Sequence, residues 1–537
     1  MTAFDQSKYR FQESQPNLAG TFRSVAHPKG AVTDRCYWTH IARAVPRAAA
    51  LRGDVDVDVA IIGAGIVGVI AARLLKDRGL SVALVEAERA AFGVTGRSTA
   101  KVTAQHATYL HRIESQHGAD AARSYAQANR AGVELIGDLA NRHALVCDLE
   151  PADSWVYAMT DEGARELQDE RAVAERAGVP MDLIDETELP FEVHAALRLR
   201  GQRQFQPVDF VAQLAATISG EGSFLFENSR VTDWSEAHIS AADGCVRAPR
   251  VIMATHLPLG EVGGYFASTR PHMHAVMAVP IDPSHAPTGM YISADEPKRS
   301  LRTHRRPDGK ITLILTGPTF KHGDAAAEER AFGELGQFAS EHFGYSGDAY
   351  RWTNEDYSSR DRFPYVGWSG STGKSVLVAT GFDAWGLSNG AAAGLMLADL
   401  CSGRDNVWAS CFDASRHPLT GIGQLASNAG GFVSELVDNH MHTRPSPSRS
   451  ANPSEGEIVD VDGRLAGLYR AGSELRAVSA VCTHMGCLVG WNAIDRTWDC
   501  RCHGSRFADD GRVVHGPATE PLRSVQLPTG HGEGAKR

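Results

Sequence analysis

A glycine-rich turn between an apolar run and an amphipathic stretch is the feature that most limits the fold of this chain. Residues 63–68 read Gly-Ala-Gly-Ile-Val-Gly and directly follow the buried-strand pattern of Val57–Ile62. Helical periodicity then runs over Ile66–Arg78 and ends at Gly79, and a second strand pattern covers Ser81–Glu86. This succession of strand, turn, helix and strand predicts the opening unit of a doubly wound α/β sheet.

The residues of this turn suit the binding of a dinucleotide. Gly63 allows the tight turn, Gly65 lets the backbone approach a pyrophosphate, and Gly68 permits close packing of helix on strand. The free N–H groups at the start of the helix, at Ile66, favour a phosphate, and Glu86 can accept hydrogen bonds from ribose hydroxyls. The alternative is a glycine-rich turn without a ligand, and the motif alone does not separate FAD from NAD.

Shifts in composition along the chain predict several structural units. Strand-like runs at Arg250–Ala254 and Ser375–Ala379 are expected to join the sheet that the glycine-rich turn opens. A Pro- and Ser-rich stretch around residues 444–448 is typical of an exposed linker. The predicted units are an N-terminal arm at 1–50, an α/β domain at 51–420 with an inserted, mixed α+β substrate layer at about 151–204 and 265–350, a linker at 421–455, and a small all-β domain at 456–530.

Charge and hydropathy patterns restrict the class of partner. The formal net charge is −10, with acidic and basic residues interspersed, so nothing favours nucleic acid or an anionic membrane as a ligand. The polar residues 1–18 lack the apolar core of a signal peptide, and no stretch has the length and hydropathy of a transmembrane segment. We therefore expect a cytoplasmic protein that acts on a small molecule. The oligomeric state is not readable from the sequence.

Two cysteine- and histidine-containing segments near the C-terminus predict a metal site. They read Cys482-Thr483-His484-Met485-Gly486-Cys487 and Cys500-Arg501-Cys502-His503-Gly504-Ser505. Two thiolates and two imidazoles in this order match the ligands of a Rieske [2Fe-2S] centre, with Cys482 and Cys500 on one iron and His484 and His503 on the other. Zinc is the alternative, since it also takes two cysteines and two histidines, but zinc fingers do not normally show this order with extra cysteines.

Most of residues 35–420 resemble the family of D-amino-acid-oxidase-like flavoproteins, and this resemblance implies FAD. It is carried by the glycine-rich turn, by Gly96–Val102, by Val251–Thr255, and by Arg360–Gly367 with Ala379–Gly390. In the family these segments lie against the flavin or the dinucleotide, and a helix N-terminus points at the flavin pyrimidine edge. The residues expected to bind FAD are Gly63, Gly65, Ile66, Val67, Gly68, Glu86, Arg97, Ser98, Thr99, Lys101, Ala254, Thr255, Asp361, Gly381, Trp385, Gly386, Leu387 and Ser388.

The C-terminal segment resembles the Rieske domains of cytochrome bc complexes. That resemblance implies a disulfide between Cys487 and Cys502, a proline loop at Gly516-Pro517-Ala518, and a hydrogen bond from Ser505 to a bridging sulfide. Phe507 departs from the family pattern, because high-potential members often carry a tyrosine there that donates toward a cluster cysteine. With fewer hydrogen bonds to sulfur, we expect a potential below the top of the Rieske range, which spans about −150 to +300 mV.

The whole chain resembles bacterial proteins that join such a flavin domain to a C-terminal Rieske domain. The first hypothesis is a dehydrogenase that oxidises a C–N bond of an amine or amino acid and passes electrons from flavin to cluster, then to an unknown one-electron carrier. A carboxylate clamp and a base are expected on the substrate side. The candidates for these roles are Arg270, His272, His274, Tyr291 and Arg302.

Two further hypotheses remain open at the level of sequence. Electrons can flow the other way, from a partner through the cluster to the flavin, which makes the protein a reductase or an electron-transfer protein. A redox sensor without substrate turnover is the second. A Rieske oxygenase is rejected, because no mononuclear iron site of two histidines and a carboxylate follows the Rieske motif.

Overall fold

The computed structural model describes residues 32–260, 262–306, 308–416 and 456–527. Residues 1–31 of the predicted arm and the whole predicted linker lie outside the described residues. Within the described ranges no helix has both the length and the apolar character needed to cross a membrane.

The part of the chain before residue 417 contains twenty strands and nine helices within the described residues. The strands are β1 (Val32–Asp34), β2 (Gly53–Asp56), β3 (Val59–Ile62), β4 (Val82–Val85), β5 (Lys101–Val102), β6 (Glu150–Ala158), β7 (Asp182–Ile184), β8 (Ala195–Gln204), β9 (Phe224–Phe226), β10 (Val231–Trp234), β11 (His238–Ala241), β12 (Gly244–Arg247), β13 (Val251–Met253), β14 (Thr269–Ile281), β15 (Met290–Ser293), β16 (Ser300–Arg305), β17 (Ile311–Phe320), β18 (Ala349–Ser359), β19 (Tyr365–Trp368) and β20 (Val376–Thr380). The helices are α1 (Tyr37–Ile41), α2 (Ile66–Asp77), α3 (Tyr109–His117), α4 (Ala119–Arg142), α5 (Asp161–Arg176), α6 (Pro207–Ala216), α7 (Ala325–Phe343), α8 (Ser388–Cys401) and α9 (Ala409–Phe412).

A six-stranded sheet forms the centre of this part, in the order β19-β20-β13-β3-β4-β9. All its strand pairs are parallel except β19 with β20, and its strands are almost wholly apolar because both faces are covered. The expected strands at Arg250–Ala254 and Ser375–Ala379 are present as β13 and β20, and they pair with each other in this sheet. The prediction of a doubly wound α/β domain is confirmed.

Helices α2 and α8 pack closely because glycines of α8 face isoleucines of α2. A Cβ on Gly390 would lie 2.7 Å from Cγ2 of Ile66, and one on Gly394 would lie 2.9 Å from Cγ2 of Ile70. The glycines are one helical turn apart, so they form a shallow groove along α8. This packing fixes the N-terminus of α8 beside the N-terminus of α2.

A large mixed sheet covers the central domain on one side, in the order β1-β18-β14-β17-β16-β15-β6-β8-β5, with β7 paired to β8. Its longest strands, β14 and β18, are antiparallel over ten residue pairs. Most of its strands come from the two stretches predicted as an inserted layer. The last residues of the predicted arm also join this core: β1 pairs with β18, and Trp38 of α1 is fully buried and donates from Nε1 to the carbonyl of Ser98 at 2.9 Å.

The C-terminal residues form a small all-β domain, as predicted. Its strands are β21 (Glu457–Val461), β22 (Arg464–Ala471), β23 (Glu474–Ser479), β24 (Val489–Asn492), β25 (Thr497–Cys500), β26 (Arg506–Ala508) and β27 (Val513–His515). They make a three-stranded sheet, β21-β22-β23, and a four-stranded sheet, β24-β25-β26-β27. Trp498 is fully buried between them, and its ring lies directly over Gly467 of β22. The cysteine- and histidine-containing loops extend from the four-stranded sheet toward the central domain.

Candidate active site and cluster-binding site

A cavity of about 480 Å³ lies where the central sheet, the large mixed sheet and the C-terminal domain meet. The glycine-rich turn forms one end, the loop of residues 97–101 forms a side, and strands β14 and β18 form the wall opposite. His515 and Gly516 of the C-terminal domain close part of the cavity. Both structural domains therefore contribute to one site.

The backbone of the glycine-rich turn has the shape that a dinucleotide needs. Gly63 has φ +99°, and a Cβ there would lie 2.6 Å from the carbonyl oxygen of Ala254. A Cβ on Gly68 would lie 2.0 Å from the carbonyl oxygen of Gly63, so this glycine permits the close approach of helix to turn. The Glu86 carboxylate accepts from the amide of Ala64 at 2.8 Å, and burial raises the pKa of Glu86. These features fit a bound dinucleotide.

Strand β5 begins with Lys101, a partly buried lysine at the side of the cavity. Lys101 donates from Nζ to the hydroxyl of Ser300 and to the carbonyl oxygen of Tyr291 at 3.1 Å. Burial, assisted by the neighbouring Arg302 guanidinium, lowers the pKa of Lys101 to about 7. A buried lysine that is partly neutral at neutral pH can accept a proton.

Most residues expected to bind FAD line this cavity. Those that do are Gly63, Gly65, Ile66, Val67, Glu86, Arg97, Ser98, Thr99, Lys101, Ala254, Thr255, Trp385, Gly386 and Leu387. Gly68, Asp361, Gly381 and Ser388 are not part of the lining. Asp361 instead pairs with Arg416 at 3.0 Å, and Ser388 bonds the His106 ring at 2.9 Å. That ring stacks on Trp385 at 4.5 Å, so His106 supports the cavity wall although the sequence did not single it out.

The residues expected on the substrate side occupy very different environments. His274 lines the cavity, and burial lowers its pKa to about 4, assisted by the neighbouring His272. His272 lies next to His274, with ring centroids 5.0 Å apart, but outside the lining. Arg270, at the start of β14, is exposed. These three residues therefore do not form one cluster.

Tyr291 and Arg302 are buried away from the cavity. Tyr291 has no exposed surface and stacks on Trp155 in the core of the large sheet. Arg302 lies over the Trp38 ring and donates to the carbonyl oxygens of Ala100 and Phe205, both at 3.3 Å. Packing of the N-terminal helix α1 encloses this guanidinium, and that packing could not be inferred from the local sequence around Arg302.

Strand β18 supplies cavity residues that the sequence analysis missed. Asn354, Glu355 and Asp356 all line the cavity. The only signal in the sequence is a polar run inside a strand, which by itself is typical of an exposed strand. The distant His256 and His515 meet Glu355 in space, and their ligand atoms lie within 4.8 Å of one another. Within this group, His515 Nδ1 lies 3.2 Å from a carboxylate oxygen of Glu355.

The four predicted cluster ligands meet at the tip of the C-terminal domain. Cys482 and Cys500 are buried and not part of a disulfide, whereas Cys487 and Cys502 form one. The rings of His484 and His503 are 5.0 Å apart. Both ring nitrogens of His484 are buried without a hydrogen-bond partner among the described residues, and burial lowers its pKa to about 4. Neutral imidazoles beside two cysteines fit a [2Fe-2S] cluster.

The histidine side of the cluster site is covered by the central domain. The ring of Phe266 lies 4.9 Å from that of His484 and 5.2 Å from that of His503. The Tyr357 hydroxyl donates to Glu355 at 2.9 Å and lies 3.2 Å from the carbonyl oxygen of His503. The cluster ligands and the cavity are thus connected through β18.

A buried group of charges holds the two domains together beside this contact. Asp495 pairs with Arg97 of the central domain and with Arg506 of its own domain at 2.8 Å. Arg506 also pairs with the fully buried Asp499 at 3.1 Å. Because each charge has a partner, the burial of these groups is compensated, and removal of one member would leave an uncompensated charge.

Comparison with known proteins agrees with both halves of the site. Residues 58–400 match the family model for FAD dependent oxidoreductase, and residues 447–526 match that for the Rieske [2Fe-2S] domain. The Rieske 2Fe-2S iron-sulfur protein YhfW of Bacillus subtilis (strain 168) is 31% identical over 498 residues, which cover 91% of this chain and 97% of that protein.

Proteins that match only part of the chain support the assignment of its first half. The gamma-glutamylputrescine oxidoreductase of Escherichia coli (strain K12) is 28% identical over 220 residues, which cover 39% of this chain and 51% of that protein. The crystal structure of glycine oxidase from Geobacillus kaustophilus has the same fold, with a TM-score of 0.56 at 19% identity, over 68% of this chain and 99% of that one. The chain is a FAD-binding member of the FAD dependent oxidoreductase family that also carries a Rieske [2Fe-2S] domain.

Proposed function

We propose that this oxidoreductase oxidises the C–N bond of an amine or amino acid and that the two electrons pass from FAD to the Rieske cluster. The substrate carbon loses a hydride and the nitrogen loses a proton, and water then hydrolyses the imine to a carbonyl compound and ammonia. Bound FAD accepts the hydride, and a bound Rieske cluster accepts electrons one at a time. A one-electron carrier protein outside the chain is the final acceptor.

The contact between cluster ligands and central domain carries this proposal. Phe266 covers the two ligand histidines, and Tyr357 links the His503 carbonyl to Glu355 in the cavity wall. Electron transfer between the cluster and an external partner alone would not require the ligand histidines to be buried against a flavin-binding domain. This arrangement favours electron exchange inside the chain.

The chemistry of the cavity and one relative support the oxidation of a C–N bond. The cavity lies beside a buried lysine whose pKa is lowered to about 7, so a proton acceptor is at hand for the oxidation of an amine. Gamma-glutamylputrescine oxidoreductase is named for a substrate that contains an amine nitrogen. Both observations favour the C–N bond as the group that is oxidised.

The test is anaerobic mixing of the purified holoprotein with a panel of amines and amino acids. Flavin absorbance and the electron paramagnetic resonance of the reduced cluster are recorded over time. We expect flavin bleaching first, followed by cluster reduction without oxygen. If substrate reduces the flavin while the cluster stays oxidised, the proposal is overturned and the protein is an oxidase. If the flavin is reduced only after the cluster has been reduced externally, electrons flow in the opposite direction.

The Tyr357→Phe variant tests the contact itself. The loss of one hydrogen bond of about 1 kcal/mol is expected to lower the equilibrium constant for docking of the two domains roughly fivefold. Cluster reduction should slow by up to that factor, while flavin reduction by substrate keeps its rate. Tyr345→Phe is a matched control, because the Tyr345 hydroxyl bonds only its local carbonyl at Gly347 in the described structure, and it should change neither rate.

A further inference from the structure

The wall formed by β14 and β18 carries two polar atoms that no described residue satisfies. His274 of β14 is directly opposite Asn354 of β18 in the antiparallel register, so their side chains lie on the same face of the sheet. Both residues line the cavity. Nε2 of His274 and Oδ1 of Asn354 are buried without a hydrogen-bond partner among the described residues. Buried polar atoms are normally paired, so these two atoms indicate a ligand.

The charges near this pair favour a cation. Asp356, two residues along β18 on the same face, accepts from the Ala384 amide and lies 3.6 Å from His256. Asp383 lies 4.0 Å from His272. The pKa of Asp356 is lowered despite its burial, because His256 donates to it, and the carboxylate is therefore ionised at neutral pH.

Each of the four arginines that line the cavity already has a structural partner among the described residues. Arg97 and Arg506 are paired with Asp495 of the C-terminal domain. Arg89 donates to the carbonyl of Val45 at 3.0 Å. Arg230 donates to the carbonyl of Val514 at 3.3 Å. A bidentate arginine clamp is the usual way to bind a substrate carboxylate. Here the guanidinium groups instead bond other residues of the protein.

We propose that the substrate is an amine without a carboxylate on the reacting carbon, and that its nitrogen is held between the Asn354 amide oxygen and the His274 imidazole. This inference rests on the proposed function, and it assigns the substrate class of the same site. An amine nitrogen donates to Asn354, and the nearby carboxylates of Asp356 and Asp383 stabilise its positive charge before oxidation. An α-amino acid of the same size would bring its carboxylate into this negative environment without an arginine to pair it.

The test uses two probes that differ only in the carboxylate, butylamine and norvaline. Each is mixed anaerobically with the holoprotein, and the dissociation constant is taken from the rapid change in flavin absorbance that precedes flavin reduction. We expect butylamine to bind more tightly than norvaline. A hydrogen bond to a charged group is worth about 1.5–3 kcal/mol, so Asn354→Leu should weaken butylamine binding roughly ten- to hundredfold, whereas Asn354→Asp should retain it. Asn141→Leu, the same change at an exposed residue of α4, is the control and should leave binding unchanged.

Several results would overturn the inference. One is tighter binding of norvaline, sensitive to Lys298→Met at the cavity edge but not to Asn354→Leu. Loss of FAD from the Asn354→Leu variant would assign this residue to the cofactor. Absence of any spectral change with either probe would also count against an amine site. Flavin reduction by butylamine without later cluster reduction would instead contradict the proposed electron path and leave the amine site intact.

Discussion

At the scale of single residues, Lys101 has the environment of a proton acceptor. Its ammonium group is buried beside the Arg302 guanidinium, and its pKa is lowered to about 7. Above that pH the neutral amine carries a lone pair and can take the proton that the substrate nitrogen releases. We expect flavin reduction by substrate to accelerate as pH rises through about 7 and to level off above it.

The Lys101→Met variant should lose this rise in rate, the limb of the pH profile centred near pH 7. Methionine keeps the length of the side chain but cannot accept a proton. Stopped-flow flavin reduction between pH 6 and pH 9 is the measurement. A free amine substrate titrates near pKa 10, as lysine does in peptides, so a limb centred near 7 belongs to the protein. A limb that persists unchanged in the variant would assign it to another group.

The residues that the sequence could identify are those whose role is local. Gly63, Gly68, Cys482 and His484 belong to short motifs, so their predicted roles depend only on neighbours in the sequence. Arg302 is different, because its burial depends on Trp38, which lies far from it in the chain. Side chains whose role depends on distant packing could not be assigned from the sequence alone.

At the scale of elements, β18 joins the two halves of the site because side chains of a strand alternate between faces. Asn354 and Asp356 share one face with His274, opposite Asn354 in β14. Thr353 and Tyr357, from the alternate positions, bond Asp495 and the His503 carbonyl of the C-terminal domain. The polar sequence of this strand is therefore explained by one face that lines the cavity and another that contacts the C-terminal domain, and no pattern in the strand alone indicates the second domain.

Two glycines lie in close contact across the interface between the domains. Gly323 follows β17 and Gly490 belongs to β24, and a Cβ on Gly490 would lie 2.2 Å from the carbonyl oxygen of Gly323. Backbone atoms cannot rotate away from such a clash as a flexible side chain can. The Gly490→Ala variant is therefore expected to separate the domains at this point, and cluster reduction by flavin should slow by up to about tenfold for an interface loss of about 1.4 kcal/mol.

The measurement compares flavin reduction with cluster reduction in the same anaerobic mixing experiment. Flavin reduction by substrate should keep its rate, because the glycine-rich turn and the β14–β18 wall are untouched. Gly333→Ala is the control: this glycine is exposed within α7, nothing lies within 4 Å of the added Cβ, and alanine favours the helix. Equal rates in Gly490→Ala and wild type would mean that the electrons do not cross at this interface.

At the scale of the whole molecule, the interface that joins the domains is rich in buried charge. Glu328 of α7 is buried at this interface and accepts from the amide of Ile494 at 3.3 Å. Burial raises the pKa of Glu328 to about 8, and the neighbouring Asp495 and Asp499 act in the same direction. The folded protein therefore holds this carboxyl protonated at neutral pH, whereas the unfolded chain ionises it above about 4.5.

This difference makes stability depend on pH in a defined direction. The contribution of Glu328 is fully present below pH 4.5 and is lost as pH rises toward 8, because the unfolded state releases its proton first. Glu328→Gln removes the titration but keeps a neutral side chain of the same shape. The free energy of unfolding of the variant should therefore exceed that of the wild type by an amount that grows by about 1 kcal/mol per pH unit between pH 5 and pH 8.

Urea unfolding at pH 5, 6.5 and 8, followed by the visible absorbance of the cluster, measures this difference directly. Other groups that titrate in this range are common to both proteins, so they cancel in the comparison. Glu334→Gln, on the exposed side of the same helix, is the control and should show no growing difference. A constant difference between Glu328→Gln and wild type would mean that Glu328 is ionised in the folded protein. In that case Glu328 would add one more negative charge to the buried charges around Asp495. The contact between the two redox domains would then not include a protonated Glu328.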